Sequence, residues 1–227
     1  MSEPLNPNLP DLVRRIDRAI IYDLAKRTPC ELAPQISTPK HRIWLKREDM
    51  QDVFSFKIRG AANRLARLSP EQLDKGVCAA SAGNHAQGMA ASARHYGTKA
   101  VIFMPVTTPR IKVNAVESFG AETRLVGDNY DAACDAAIEY AKNTGAVFIH
   151  PFDEIDVIAG QGTVGKEILS TVPNPAAVYV CTGGGGLVSG VGAYVKAKSP
   201  KSQIIAVEAA GAPTPVSYTH LTLPTKA

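Results

Sequence analysis

The stretch VCAASAGNHAQG at residues 77–88 decides the fold. Residues 77–80 are small and apolar, which is typical of a short buried strand. A turn rich in small residues follows and leads into a helix predicted over Asn84–Tyr96. A buried strand that passes directly into a helix is half of a β–α–β unit, so the stretch predicts an α/β fold built around a parallel sheet.

The same pattern of a strand followed by a helix recurs along most of the chain. Before it begins, apolar residues at helical spacing predict a first helix from Asp11 to about Arg27, with Pro29 ending it. The further predicted pairs of strand and helix are Arg42–Leu45 with a helix from Lys57, Ala100–Met104 with Arg110–Phe119, Thr123–Val126 with Tyr130–Asn143, Val147–Ile149 with Val157–Leu169, and Ala177–Cys181 with Leu187–Lys198, before a last strand at Ile204–Val207.

Composition and charge exclude several classes of function. The 227 residues are 45% hydrophobic and 20% charged, as in ordinary globular proteins. The formal charge of +4 forms no basic cluster, so no nucleic-acid partner is expected. The four cysteines lie far apart, which predicts neither a zinc site nor a disulfide framework. Since the chain shows neither a signal peptide nor a run of roughly 18 apolar residues, we expect a cytoplasmic protein without a membrane partner.

Four consecutive glycines, Gly183–Gly186, stand between a predicted strand and a predicted helix. Their N–H groups could close around an anion at the positive end of the helix, as in phosphate-binding turns. The run does not fit the dinucleotide pattern GxGxxG, because Ser189 stands where the third glycine is needed. Residues 160–167 do not complete a nucleotide P-loop either, because Glu167 replaces the Ser or Thr that holds magnesium. A flexible turn without a ligand is the structural alternative.

Two further segments could carry chemistry. Lys57 lies at the start of a predicted helix between apolar neighbours, where desolvation would lower the pKa of its amine and make it a better nucleophile toward an aldehyde. A lone lysine in such a setting is usually a surface residue. The turn at residues 81–88 offers N–H groups and Ser81 to a carboxylate, and Asn84 offers an amide. Its plainer interpretation is a well-capped helix with a structural His85.

Taken together, these segments resemble the threonine and serine dehydratases among the fold type II pyridoxal-phosphate (PLP) enzymes, a group that includes the tryptophan synthase β subunit and cysteine synthase. The resemblance runs from about Thr28 to Ala209. It rests on ordered motifs, namely KRED at 46–49, SFKIRGA at 55–61, SAGNHAQG at 81–88, AGQGT at 159–163 and GGGGL at 183–187.

The resemblance implies a cofactor, PLP, and a role for each site residue. Lys57 would carry the cofactor as a Schiff base, Phe56 would pack beside its ring, and Asn84 would face its 3-hydroxyl group. The cofactor phosphate would be held by Gly183, Gly184, Gly185, Gly186 and Leu187. The carboxylate of an amino-acid substrate would be received by Ser81, Ala82, Gly83, Asn84 and His85. No metal is expected.

The implied reaction is the conversion of L-threonine to 2-oxobutanoate and ammonia, in isoleucine biosynthesis or threonine catabolism, with L-serine as a further substrate. Serine racemases of the family carry a serine where this chain has Ala82, which favours a lyase over a racemase. Enzymes that replace the β-substituent, such as cysteine synthase, usually have a second threonine where this chain has His85. The non-enzyme alternative is an α/β fragment that binds another phosphate.

The resemblance also implies two α/β lobes with PLP between them. The large lobe would comprise residues 1–51 and 158–215, and the small lobe residues 52–157. Family members contribute a partner for the pyridine nitrogen from a later segment, so we expect a chain whose large lobe is incomplete. Residues 216–227 abandon the strand–helix pattern, which predicts a non-native tail. The full-length protein is expected to form a homodimer or a homotetramer.

Overall fold

The structure is a computed structural model that describes residues 9–209, so the tail predicted at 216–227 lies outside the described residues. No helix in this described part combines the length and apolar character needed to cross a bilayer. Its elements, in chain order, are α1 (Leu9–Asp17), β1 (Cys30–Leu32), β2 (Trp44–Lys46), a 3-10 turn (Glu48–Met50), α2 (Lys57–Leu65), α3 (Pro70–Lys75), β3 (Val77–Ala80), α4 (Asn84–His95), β4 (Ala100–Met104), α5 (Arg110–Glu117), β5 (Glu122–Leu125), α6 (Tyr130–Thr144), β6 (Val147–Phe148), α7 (Ile155–Thr171), β7 (Ala177–Cys181), α8 (Gly186–Lys198) and β8 (Gln203–Val207).

The central sheet is parallel and has the strand order β5-β4-β3-β6. Every residue of β3 and β4 is buried. One face carries apolar residues that pack with α2, α4 and α5, and the other face packs against α6. Strands covered on both faces are continuously apolar, which is why VCAA and AVIFM form the middle of the sheet. The predicted α/β fold with a parallel sheet is confirmed.

A second parallel pair, β7 and β8, packs against α8 through Val178, Val180 and Val191. Its first strand ends at Cys181, directly before the glycine run. A small antiparallel pair, β1 and β2, precedes α2. In parallel α/β sheets the carboxyl ends of the strands are the usual location of ligand sites. The turns after β3 and β7 both lie at such ends.

Glycines allow α7 to pack very closely between α2 and α8. A Cβ atom on Gly160 of α7 would lie 2.4 Å from the carbonyl oxygen of Arg59, and one on Gly190 of α8 would lie 2.4 Å from that of Ile158. Both distances are far shorter than an ordinary contact, so larger residues would force the helices apart. The segment at 160–167 is therefore part of a buried helix, which explains the glycines without a P-loop.

The predicted first helix is wrong in length, because α1 ends at Asp17 and not near Arg27. Side-chain amides from elsewhere take up the backbone groups beyond it. Asn63 accepts a hydrogen bond from the N–H of Ile20 at 2.9 Å, and Gln51 accepts one from the N–H of Lys26 at 2.9 Å. These long-range bonds satisfy the backbone without a helix, which a local pattern cannot indicate. By contrast, β3, β4 and β7 have the predicted bounds.

Candidate active site

A cavity of about 300 Å³ lies between the first residues of α2 and the first residues of α8. Its size falls in the lower range of small-molecule sites. Phe56 and Lys57 contribute from the start of α2, and Phe152 contributes from the connection between β6 and α7. The remaining lining is the segment 181–188, which contains all four glycines of the run and Leu187. We refer to this space as the cavity and to Gly183–Gly186 as the glycine turn.

Three of the four residues of the glycine turn need to be glycine. A Cβ on Gly184 would lie 2.3 Å from the Phe152 ring, and one on Gly186 would lie 2.7 Å from the Phe152 carbonyl oxygen. Gly185 has a φ of +87°, which side chains rarely tolerate. On Gly183, a Cβ would meet no described atom within 4 Å. The turn is thus pressed against Phe152 on one side and open on the other.

The glycine turn opens α8, a helix of 13 residues. The N-terminus of a helix presents N–H groups that have no partner inside the helix, and it carries a partial positive charge. Among the described residues, no side chain caps this helix through a hydrogen bond. The start of α8 therefore offers N–H donors to an anion at the cavity.

Lys57 is the first residue of α2, and it lies on the same cavity. Its amine donates a hydrogen bond to the carbonyl oxygen of Pro151 at 2.7 Å. Burial lowers the pKa of the Lys57 amine from 10.5 to about 8. At neutral pH an appreciable fraction of this amine is consequently unprotonated and can act as a nucleophile or as a base.

The turn after β3 carries further polar groups. The Ser81 hydroxyl accepts a hydrogen bond from the N–H of Gly83 at 3.2 Å, and Asn84 is exposed at the start of α4. Within the described chain, a Cβ on Gly83 would have open space around it. Residues 81–84 are not among those that line the cavity. The structure therefore brings Lys57, Phe56 and the glycine turn together, while the predicted substrate-binding and ring-binding roles of residues 81–84 stay predictions.

His85 is buried, with only 2% of its surface exposed. Its Nε2 atom lies 3.3 Å from the carbonyl oxygen of Ile149, while Nδ1 has no hydrogen-bond partner in the described part of the chain. Burial, together with the nearby charge of Lys57, lowers the pKa of His85 to about 3. The imidazole is therefore neutral at physiological pH. Donation from Nε2 to Ile149 would leave Nδ1 as an acceptor.

A buried ion network lies behind Lys57, and sequence reasoning did not assign it. Arg59 is fully buried and donates to Glu48 from Nε and Nη2 at 2.7 Å. It also donates to Glu167 from Nη1 at 2.7 Å and from Nη2 at 2.9 Å. Lys46 donates to Glu167 at 2.5 Å. Two positive and two negative side chains thus balance, and we call these four residues the Arg59 network.

Hydrogen bonding decides the protonation state of this network. Burial alone would raise the pKa of Glu167, but the hydrogen bonds and charge of Arg59, together with hydrogen bonds from Lys46 and Tyr22, outweigh that effect and lower the pKa to about 2. The Tyr22 hydroxyl also donates to Glu167 at 2.7 Å. The signal in the sequence was the placement of Arg59 and Glu167 inside segments rich in small and apolar residues. Charged residues are almost never fully buried unless they are paired, so such positions imply partners.

The residues of the cavity fit PLP. An amine of lowered pKa can react with a carbonyl group, and the N–H groups at the start of α8 can bind a phosphate. The open side of Gly183 leaves room where that phosphate would lie, and Phe56 and Phe152 supply aromatic walls. An α/β fold that places a desolvated lysine opposite an anion-binding turn defines a protein that holds a phosphorylated carbonyl compound.

Comparison with known proteins gives this class its name. Residues 21–225 match the protein family described as pyridoxal-phosphate dependent enzymes. The chain belongs to this family. It is 54% identical over 190 residues to threonine dehydratase 1 biosynthetic, chloroplastic, from Solanum lycopersicum, an alignment that covers 83% of this chain and 31% of that protein. The chain spans 31–33% of the length of three such plant relatives.

Solved structures agree with this assignment of the fold. The processed form of threonine deaminase isoform 2 from Solanum lycopersicum matches with a TM-score of 0.85 and 43% identity, covering 91% of this chain and 58% of that one. Maize serine racemase matches with a TM-score of 0.85 and 34% identity, covering 96% of this chain and 67% of that one. The predicted fold type II architecture is confirmed.

Proposed function

We propose that this chain is the cofactor-binding part of a lyase that converts L-threonine to 2-oxobutanoate and ammonia. The observation that carries the proposal is the desolvated Lys57 amine on the same cavity as the glycine turn. The names of the relatives support the choice of substrate, since the similar proteins from tomato are called threonine dehydratase and threonine deaminase.

PLP, when bound, supplies an electron sink for the charge that develops at the substrate Cα. The role of Lys57 follows from its protonation. With a pKa of about 8, Nζ can accept the Cα proton near neutral pH and can return it later. The Pro151 carbonyl, which accepts a hydrogen bond from this amine at 2.7 Å, holds the amine at the cavity wall. Lys57 is therefore assigned as the carrier of the cofactor and as the base.

The other predicted residues would bind different parts of the cofactor and the substrate. The N–H groups of the glycine turn and of Leu187 would hold the cofactor phosphate, and Phe56 would pack against the ring. We propose that Asn84 faces the cofactor's 3-hydroxyl group and that residues 81–85 receive the substrate carboxylate at the start of α4. Because His85 is neutral, it adds no further positive charge beside Lys57.

Ala82 favours a lyase over a racemase. A racemase must deliver a proton to the second face of the substrate, and a hydroxyl group can do so. Ala82 carries no such group, and it packs against the apolar cluster beneath the central sheet. We expect little D-serine from L-serine. Chiral chromatography of the reaction products tests this, and D-serine formation at a rate similar to that of deamination would make the racemase the better assignment.

Several finer points belong to the same proposal. Relatives called biosynthetic support a place in isoleucine formation, and L-serine is proposed as a second substrate. We propose a cytoplasmic location, whereas the plant relatives are named chloroplastic. A full-length homodimer or homotetramer is also proposed, as is the division into a large lobe (1–51 and 158–215) and a small lobe (52–157).

Absorbance of the protein mixed with PLP tests the proposal. We expect a visible band from lysine-bound PLP that is absent in Lys57→Ala and kept in Lys99→Ala, an exposed lysine that pairs with Glu122. Because many relatives are longer, the same spectra are recorded for a chain completed with the C-terminal part of the tomato relative. That completed chain should also form 2-oxobutanoate from L-threonine. A band that survives Lys57→Ala, or a completed chain without a band, would refute the proposal.

A further inference from the structure

The connection between β6 and α7, residues 149–154, contacts three parts of the candidate site. We call it the bridging turn. The carbonyl oxygen of Ile149 faces His85, and the carbonyl oxygen of Pro151 accepts from Lys57. The Phe152 ring lies against Gly184. A single short segment thus contacts the Lys57 amine, the glycine turn and His85 at the start of α4.

The His150 side chain forms hydrogen bonds within the bridging turn. Its Nδ1 atom accepts hydrogen bonds from the N–H of Phe152 at 3.4 Å and from the N–H of Asp153 at 2.9 Å. Its ring packs edge-on against the Phe152 ring, with 4.6 Å between the ring centroids. Burial lowers the pKa of His150, with a further contribution from nearby Lys57 and an opposing one from Asp153. The imidazole therefore stays neutral and keeps its Nδ1 acceptor.

Glu154 fixes the far end of the bridging turn. It accepts a hydrogen bond from the N–H of His150 at 3.1 Å and pairs with Arg64 of α2. The bridging turn is consequently tied to the helix that carries Lys57 at two separate points, Arg64 and Lys57 itself.

We propose that His150 is a positioning residue that, through the bridging turn, sets the Lys57 amine and the glycine turn at a fixed spacing. The inference rests on the proposed function only in taking the cavity as the cofactor site. Losing the Nδ1 acceptor would release the Pro151 carbonyl from the amine and the Phe152 ring from the glycine turn. Both the pKa of the amine and the affinity for a phosphorylated ligand would then change.

Replacing His150 separates this role from a general packing role. His150→Leu keeps an apolar side chain but removes the acceptor, whereas His150→Asn keeps an acceptor that can bond to the N–H two residues on, as in Asx turns. His95→Leu, the same change at an exposed histidine, is the matched control. Two quantities are measured: the titration midpoint of the Lys57 amine by NMR after ¹³C-methylation of the lysines, and the apparent Kd for PLP by absorbance.

We expect His150→Leu to let water reach the Lys57 amine, which relieves its desolvation and moves its midpoint from about 8 toward 10.5, and to weaken PLP binding by about tenfold or more. His150→Asn should restore most of both, and His95→Leu should change neither. An unchanged midpoint and an unchanged Kd in His150→Leu would overturn the inference. The amine titration needs no cofactor, so a shifted midpoint in a chain that binds no PLP even when completed with the C-terminal part of the tomato relative would support the positioning role while refuting the proposed function.

A second pair of variants covers the case in which His150→Leu fails to fold. Gly184→Ala would press a methyl group into the Phe152 ring, 2.3 Å away, and should weaken PLP binding by about tenfold. Phe152→Ala removes that clash, so the double variant should bind PLP more tightly than Gly184→Ala alone. Effects of the two substitutions that simply add would show that Phe152 does not shape the glycine turn, and would overturn the inference.

Discussion

Lys57 and Arg59 stand two residues apart on the first turn of α2, yet their surroundings are opposite. The guanidinium of Arg59 donates to two carboxylates, and every member of the Arg59 network has a charged partner. In the described part of the chain, the Lys57 amine donates to one carbonyl group and faces a cavity. Arg59 is therefore stabilised in its charged form, while burial disfavours the charged form of Lys57.

The difference shows how one short helix serves two purposes. The saturated network holds α2 against α7 and the β1–β2 segment, which fixes the position of the backbone at Lys57. Within residues 9–209, no carboxylate pairs with the Lys57 amine, which is held at the cavity by the Pro151 carbonyl. We expect substitutions in the Arg59 network to lower the free energy of unfolding, and removal of the Lys57 charge to raise it.

The largest effect is expected from Arg59→Met, which leaves Glu48 and Glu167 buried without the guanidinium. Removing one partner of a buried ion pair costs about 3–5 kcal/mol. The free energy of unfolding, measured in urea, should fall by that amount. Arg47→Met is the control, because Arg47 pairs with Glu31 and Asp49 at the surface and exposed pairs contribute below about 1 kcal/mol. Equal losses in the two variants would contradict the assigned role of the network.

A smaller effect concerns acid stability and His85. The pKa of His85 is about 3 in the folded chain against 6.5 ordinarily, so the unfolded chain takes up a proton first as the pH falls. Stability is therefore lost progressively below pH 6.5, by roughly 2 kcal/mol at pH 5.

His85→Gln should remove this part of the loss, whereas His95→Gln, at an exposed position, should not. The pKa of Glu167 is about 2 in the folded chain against 4.5 ordinarily, so its contribution to stability is lost as the pH falls below about 4.5. Both variants should keep this loss. Urea unfolding at pH 7, 5 and 4 distinguishes the two windows. A His85→Gln profile identical to that of the parent between pH 7 and 5 would show that the histidine is not buried as described.

The smallest effect is a gain in stability from Lys57→Met. Folding lowers the pKa of this amine from 10.5 to about 8, so its protonation destabilises the folded chain increasingly as the pH falls from 10.5 to 8, and fully below that. This shift amounts to about 3 kcal/mol at pH 7, and loss of the hydrogen bond to the Pro151 carbonyl offsets about 1–2 kcal/mol of it, so Lys57→Met should stabilise the protein by about 1–2 kcal/mol. The gain should disappear above pH 10.5, where the amine is neutral in both states. Lys99→Met should not gain stability, because pairing with Glu122 raises the pKa of Lys99.

The sequence predicted most of the α/β core because its signals are local. The strands β3, β4 and β7 are continuously apolar, β3 and β7 end in small-residue turns, and the bounds of all three were correct. Helix α3 was missed although Ser69 and Gln72 form a capping box around Pro70. The overlong first helix had a different cause, since the amides of Asn63 and Gln51 that replace its hydrogen bonds come from distant positions.

The candidate site was predictable to the extent that it is built from contiguous motifs. Lys57 and the glycine turn each follow from local sequence, and the structure places them on one cavity. The Arg59 network and the bridging turn join residues up to 121 positions apart, such as Lys46 and Glu167. Such pairings depend on how the helices pack. The motifs at 46–49 and 159–163 therefore supported the family resemblance, but the sequence alone did not show which residues they contact.

The titration of Lys57 in the protein without cofactor tests the central claim most directly. The lysines are ¹³C-methylated, the Lys57 signal is assigned by its absence in Lys57→Arg, and its chemical shift is followed by NMR from pH 6 to 11. The account predicts a midpoint near 8, well below the midpoint of exposed Lys99. A Lys57 midpoint at or above 10.5 would contradict the desolvated amine on which the proposed function depends.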